Sequence, residues 1–525
     1  MDSTLLTGAT LADGTGRPLR PAEVLLTGDR ITAVEDPGVL PRDRPVRDLN
    51  GLVLAPGFID THSHADNAPL LPDDDTTKVR QGVTTEVVGN CGFSLAPRSR
   101  DHGSELDAFT RRLFPPIEFT WSTFGELTAA LDDAGYVTHH CPLVGHGTLR
   151  IAATGMTDAA PDEHDLRRMR HALEEAMHAG AFGLSSGLVY PPAVFSETAE
   201  LLLLAEVLGG HGLYATHMRD EGAGLFDALD EALRIGAVAG RTHVSHLKAA
   251  GDANWGKIPR ALALLRGARE RGAAVTQDVY PYTASSTMLT STLPSAYLAG
   301  GTQDVLHRLR DHRERLTEIL GGELPGKDPD RILIAGTASH RHEGQTLQEI
   351  ARATDSRPID ALLDILIAEE LQATMVLFSM HEDDLLTALG DENTMIGSDG
   401  LPPGTGGKPH PRLFGTFPRM LSRYTQAGLH EQPGTAAPLD LPEAVRRMTS
   451  LPAATFRIPD RGVVAPGHIA DLVAFDPENV TDVGDYRDPV HSPLGIDWVC
   501  LAGRTVVHHG QYIGGRHGKR LQPAQ

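Results

Sequence analysis

Apolar and polar positions along the chain fall into three textures. Over residues 4–55, short apolar runs such as Leu5-Leu6, Val24-Leu25-Leu26 and Ile31-Thr32-Ala33-Val34 alternate with the turn signals Asp13-Gly14 and Gly28-Asp29, which predicts β-structure. From 57 to about 456, strand-like runs alternate with stretches that repeat apolar residues at helical spacing, the signature of a parallel α/β fold. The spacing predicts helices over 162–179, 198–208, 225–239, 258–271, 359–369 and 441–449. It predicts strands over 57–62, 83–89, 137–145, 182–187, 213–217, 242–247, 274–280 and 394–398, the number that a (β/α)8 TIM-like barrel requires. After Phe456 the β texture returns around Val463-Val464 and Trp498-Val499-Cys500-Leu501.

The expected organisation is therefore one small β-sandwich built from both termini, 1–55 and 457–525, around a barrel over 56–456. An insertion over about 286–331, with a charged helix starting near Asp304, interrupts the alternation just before the last barrel strand. Insertions at that end of a barrel often cover the mouth of the site.

Composition narrows the function classes. Hydrophobic residues make up 40% of the chain and charged residues 22%, the balance of an ordinary soluble globular protein. The net charge of −22, from 47 Lys and Arg against 69 Asp and Glu, argues against nucleic-acid binding. The opening Met1-Asp2-Ser3-Thr4-Leu5-Leu6 has no signal-peptide pattern, and no uncharged run reaches membrane-spanning length. A cytoplasmic location without membrane partners is expected. Cys91, Cys141 and Cys500 are too few and too scattered for a disulfide framework.

Candidate chemistry begins at His62-Ser63-His64. Strand side chains alternate faces, so two histidines at i and i+2 after Phe58-Ile59 point the same way and form a ready pair of metal ligands. Cys91, His217, His246 and Asp399 each lie at the end of a later strand-like run. Barrel enzymes carry their chemistry at the C-terminal ends of strands, so all six would converge on one mouth. Imidazole, thiolate and carboxylate together make a zinc-like donor set, enough for one closed site or two half-open ones.

The motifs Pro56-Gly57-Phe58-Ile59-Asp60-Thr61-His62-Ser63-His64, Gly89-Asn90-Cys91-Gly92, Thr216-His217-Met218-Arg219-Asp220-Glu221, Ser245-His246-Leu247-Lys248, Tyr280-Pro281-Tyr282 and Gly397-Ser398-Asp399-Gly400 span most of the chain. With them the sequence resembles the amidohydrolase superfamily and, within it, the N-acyl-D-amino-acid deacylases (D-aminoacylases). The Asn-Cys-Gly element is the specific one. The resemblance implies a tight zinc held by Cys91, His217 and His246, a weaker second site at His62, His64 and Asp399, and hydrolysis of N-acyl-D-amino acids. One departure is Ala65, where the family commonly carries Asp after the His-x-His; Asp66 is the expected substitute as a support for the histidines.

Asp399 is expected to take a proton from water and return it to the leaving amine. The substrate carboxylate needs local cations, and lysine is scarce. Lys248 shares strand parity with His246, and the Arg412 guanidinium can clamp a carboxylate with two parallel hydrogen bonds. By resemblance, Tyr280 and Ser286 assist them and Tyr190 lines the site; His146 and Arg150 match a family run without an assigned role. The same scaffold suits a cyclic amide, an N-carbamoyl compound or a dipeptide with a C-terminal D-residue, and a non-catalytic barrel scaffold is the remote alternative. Nothing in the sequence specifies the oligomeric state, the D-side chain or the acyl group.

Overall fold

The computed structural model describes residues 3–319, 328–402, 407–425 and 439–524. Its central feature is a set of parallel strands that pair in chain order. Phe58–Asp60, Val83–Val88 and His139–Pro142 form one run, and Val144–Gly145, Leu184–Gly187, Gly212–His217, Gly240–Val244, Ala274–Val279 and Thr394–Ile396 form the next. Leu143 joins the two runs. Its N–H donates to the Val88 carbonyl (2.8 Å), while that of Val144 donates to Gly183 (2.9 Å), so the third strand pairs on both sides. Beyond the strand ends the last segment meets the first through a parallel bridge between Ser63 and Gly400 and an Asp399 N–H bond to the His62 carbonyl of 2.7 Å.

These strands are buried almost throughout, as in Val83–Val88, where all six residues are buried. Parallel strands covered on both faces favour such runs. The helices between them follow the expected apolar spacing. Leu225–Ala239 buries Leu225, Leu229, Ala232 and Ile235 along one stripe. Glu163–His178 begins at Asp162, whose carboxylate accepts from the His164 and Asp165 N–H groups, satisfying donors that the first turn leaves free.

Both termini contribute to a pair of sheets. One is four-stranded, from Ser3–Thr7, Glu23–Thr27, Arg30–Glu35 and Val46–Asp48; the other is seven-stranded and includes Val53–Pro56, Leu472–Phe475, Ile496–Leu501 and Arg504–His508. Leu6, Val24, Ile31, Leu54, Leu472 and Trp498 share the core between them. Val53–Pro56 continues through Gly57 into Phe58–Asp60, and Phe58 stacks on Phe417 (5.7 Å) and leans on Phe475 (6.3 Å). The strand carrying the first histidines is thus anchored at its start by the terminal sheet.

Two boundaries differ from the sequence expectation. The excursion before the last parallel strand is longer than 286–331, of which 320–327 lie outside the described residues. It continues to about 379, because Ser285–Met288, Ile332–Thr337 and Ala373–Leu377 pair as a separate antiparallel sheet with its own core of Leu309, Ile334, Ile350, Leu362 and Met375. The helix expected at 359–369, observed as Pro358–Ala368, belongs to this unit. Nor do all of residues 457–525 join the terminal sheets: Gly518 and Arg520 bridge to Tyr136 and His140, beside the third parallel strand. The alternation of small and charged residues in that tail carries no signal for which sheet it meets.

Candidate active site

The first parallel strand ends at Asp60, and His62 and His64 follow it as buried residues with ring centroids 5.4 Å apart. Cys91 follows Val83–Val88 in the turn Gly89-Asn90-Cys91-Gly92 with φ 55°, and His246 and Asp399 also take positive φ, 36° and 48°. Side-chain-bearing residues rarely adopt this region, and each costs on the order of 1–3 kcal/mol that the surrounding packing must offset. At Cys91 the packing is backbone on backbone: a Cβ at Gly187 would lie 2.0 Å from the Cys91 carbonyl oxygen. The glycine of Ser185-Ser186-Gly187 therefore makes room for the cysteine turn.

The six expected ligands come together. Cys91 Sγ lies 3.1 Å from His62 Nε2 and 3.6 Å from His246 Nε2, and Asp399 Oδ1 lies 3.2 Å from His64 Nε2 and 3.6 Å from His62 Nε2. Their donor atoms form two overlapping groups, His62–His64–Cys91–Asp399 and Cys91–His217–His246, each with all atoms within 4.8 Å of one another. Cys91 belongs to both. Burial alone would raise its thiol, but the field of His62 and hydrogen bonds from His217, His246 and His62 outweigh it and hold the group well below its ordinary range. Burial opposes the charge on Asp399 too, and Arg412, His62 and His64 overcome it and keep the carboxyl ionised. Cys141 and Cys500, by contrast, are buried among apolar groups that push their thiols up.

The donor set fits a borderline metal such as zinc: one thiolate, one carboxylate and four imidazoles, buried and converging. The Nδ1 atoms of His64 and His217 have no hydrogen-bond partner, and the Nε2 atoms of both rings face the other donors.

Two carboxylates that the sequence reading did not single out support these rings. Asp278, in Ala274–Val279, accepts from His243 Nε2 (2.6 Å) and the His246 N–H (2.8 Å) and lies 3.6 Å from His62 Nδ1. Glu221 Oε1 is 3.0 Å from His246 Nδ1 and 2.5 Å from Lys248 Nζ, and its other oxygen is 3.6 Å from His217. An acid inside a buried strand, and an acid four residues after His217, were the available signals. Asp66 does not fill the place expected of it. Its Oδ2 has no partner, burial raises its carboxyl to about 7, and it faces a small cavity with Phe124, Leu127 and His140. Asp278 is the carboxylate beside the His62 ring.

The expected substrate residues lie on the same side. Arg412, buried at the start of helix Arg412–Arg423, places Nη1 2.9 Å from Asp399 Oδ2, donates Nη2 to the Ser286 carbonyl (3.0 Å) and sits 4.6 Å from the Tyr280 ring centroid. Its Nε meets no acceptor. Lys248 Nζ is 5.7 Å from the same ring. Tyr190 packs on His217 at 5.1 Å and shares a 2.8 Å hydrogen bond with Thr287. Ser286 enters through its backbone carbonyl. His146 and Arg150 instead converge on Glu200 behind the site, His146 Nε2 at 2.8 Å, as a buried ionic tie between two helices.

This arrangement, buried metal-type donors beyond the ends of parallel strands with Arg412 and Lys248 beside them, is that of a metal-dependent hydrolase. The family model described as the amidohydrolase family matches residues 45–512. The chain belongs to the amidohydrolase family. It is 36% identical to a D-aminoacylase of Alcaligenes xylosoxydans xylosoxydans over 98% of this chain and 97% of that protein. Among solved structures, the N-acyl-D-glutamate deacylase of Bordetella bronchiseptica, complexed with zinc and a phosphonate inhibitor that mimics the tetrahedral intermediate, superposes with a TM-score of 0.83 at 33% identity over 99% of both chains. A D-aminoacylase with a binuclear metal centre, described by one-metal activation and second-metal attenuation, superposes equally well, at 0.83 and 35% identity over 99% of both chains.

Proposed function

We propose that the chain is a zinc-dependent enzyme that hydrolyses the amide bond of N-acyl-D-amino acids to a carboxylate and a free D-amino acid. The observation that carries the reading is Cys91 at the junction of two donor groups, with Arg412 directly beside them. The parallel strands are read as a (β/α)8 barrel over 56–456, and the terminal sheets as a satellite sandwich. Cys91, His217 and His246 would hold a tight zinc, and His62, His64 and Asp399, within reach of the same thiolate, a weaker second one. When bound, zinc supplies a Lewis acid that polarises the acyl carbonyl and makes water more acidic.

The chain's own residues account for the rest. Asp399 accepts the proton of the attacking water and delivers it to the leaving amine nitrogen. Arg412 pairs its planar fork with the substrate α-carboxylate, which fixes the amide relative to Asp399. Lys248 adds positive charge beside Glu221 as Arg412 does beside Asp399, and the planar fork makes Arg412 the main clamp. Tyr280 presents its ring to both cations, and Tyr190 closes the wall next to His217. No helix among the described residues is long and apolar enough to cross a membrane, and all three cysteines are free; a cytoplasmic location is part of the proposal.

The test is a turnover panel of N-acetyl-D- and N-acetyl-L-amino acids alongside a hydantoin, an N-carbamoyl-D-amino acid and a dipeptide with a C-terminal D-residue, with zinc measured on the same sample. Zinc-dependent turnover confined to the N-acetyl-D compounds is expected. Turnover led by another column of the panel would replace the reading.

A further inference from the structure

Beneath the histidine pair lies a buried ionic node that holds the backbone of the site without hydrogen-bonding to its metal-donor atoms. Lys78 is 1% exposed. Its ammonium donates to Asp60 Oδ2 at 2.7 Å, to Ser398 Oγ at 2.7 Å and to Ser63 Oγ at 3.1 Å, with Glu86 Oε2 at 3.5 Å. Three donors meet three close acceptors, so the group is fully used. A charge this deep costs several kcal/mol unless it is paired, and here two carboxylates compensate it.

Each partner is interleaved with the site. Ser63 lies between His62 and His64, and Ser398 precedes Asp399. Asp60 Oδ1 accepts from the N–H of His62 (3.2 Å) and of Ser398 (2.8 Å), and the Ser398 hydroxyl donates to Asp60 Oδ2 (2.6 Å) while accepting from the Gly400 N–H (3.0 Å). Ser63 in turn donates to Glu86 Oε2 (2.6 Å), which carries the tie to the second parallel strand. The node therefore spans the first, second and last strands; the first and last deliver His62, His64 and Asp399, and the second leads on to Cys91. Among the described residues, none of the hydrogen bonds or ion pairs of the node reaches Cys91, His217 or His246.

We propose that Lys78 is a positioning residue for the His62–His64–Asp399 half of the site. It fixes the backbone on either side of these three residues, and through Ser398 it sets where the Asp399 carboxylate stands. It acts first on proton transfer and on the weaker metal position; the Cys91–His217–His246 group lies outside its hydrogen bonds, and Arg412 feels it only through Asp399. The inference rests on the deacylase reading for its kinetic readout alone.

The test uses the zinc-loaded full chain as Lys78→Met and as Ser398→Ala, the latter removing one bond of the node without uncovering a charge. Expected in both is a kcat loss of roughly 10–100-fold, the usual scale for partners that orient ligands, with KM within about twofold of wild type. Titration with Zn2+ should show the first equivalent bound as in wild type and the second weakened. In Co2+-substituted protein, the thiolate charge-transfer band reporting Cys91 should persist. Lower thermal stability with unchanged kcat and unchanged second-metal affinity would reduce the node to a structural staple and overturn the proposal. Equal loss of both metals together with the thiolate band would overturn it as well. Should Lys78→Met fail to fold, Ser398→Ala decides. If the wild-type chain turns over no N-acyl-D-amino acid, the deacylase reading fails, while the metal titration and the Co2+ band still test Lys78.

Discussion

Asp399 stands 2.9 Å from Arg412 and 3.2 Å from His64, so one carboxylate faces both the guanidinium and the imidazoles of the site. Asp399→Asn is expected to keep the Cys91 half of the site and to lower kcat by roughly 10²–10⁴, the range for a missing general base; steady-state kinetics with zinc content measured in parallel checks this. Arg412→Lys keeps the charge and loses the fork. It should lower kcat/KM for an N-acyl-D-amino acid by about 1–3 kcal/mol, the scale of a charged hydrogen bond. Because Arg412 also contacts Asp399, part of that loss will appear with an N-acyl amine lacking a carboxylate. The difference between the two substrates is the measure of the clamp, and equal losses would move the carboxylate site elsewhere. Glu221→Gln leaves His246 Nδ1 without its anionic partner and Lys248 without its counter-charge. Competition with a chelator should show zinc held roughly 10–100-fold less tightly.

At the scale of elements, the ends of the strands matter more than their interiors. The helices begin and end close to where apolar spacing and caps put them, Leu225–Ala239 and Glu163–His178 being examples, because amphipathic periodicity and capping are local properties of sequence. The left-handed turns at Cys91, His246 and Asp399 are not local in this sense. They persist because neighbouring strands leave them room, as Gly187 does for Cys91. Gly187→Ala sets a methyl 2.0 Å from the Cys91 carbonyl oxygen. The cysteine turn must then move, with a loss of stability on the order of 1–3 kcal/mol. Thermal unfolding with and without zinc should show a reduced melting temperature and a smaller zinc-induced rise than wild type; an unchanged rise would mean that the turn tolerates the shift.

Across the whole molecule, the terminal sheets and the parallel strands are joined by charge as well as by apolar packing. Asp471 accepts from Arg461 Nε (2.8 Å) and the Ala502 N–H (2.7 Å) and reaches His139 of the third parallel strand at 3.3 Å. Burial would raise its carboxyl, but His139, Arg461 and the backbone bond lower it from 3.8 to about 2. A depressed carboxylate stabilises the fold at pH above its unfolded value, and that stability is lost as pH falls through the folded value. The contribution is about 2 kcal/mol, present above pH ~4 and lost toward pH ~2. In urea unfolding, the stability gap between wild type and Asp471→Asn should therefore narrow by about that amount as pH falls from about 5 toward 2. A gap independent of pH would remove Asp471 from the acid response.

The sequence by itself determined the alternation of strands and helices, the β texture of both ends, and the residue types awaiting a metal at the ends of strands. Each of these is written in nearest-neighbour patterning and in the chemistry of single side chains. The tertiary structure decided that Cys91 stands in both donor groups, that Asp278 rather than Asp66 lies beside the His62 ring, that Glu221 shares its carboxylate between His246 and Lys248, and that Lys78 reaches Ser398, 320 residues away in sequence. These depend on distances between strands remote in the chain and on backbone angles that neighbouring strands impose, and no periodicity within one segment encodes either.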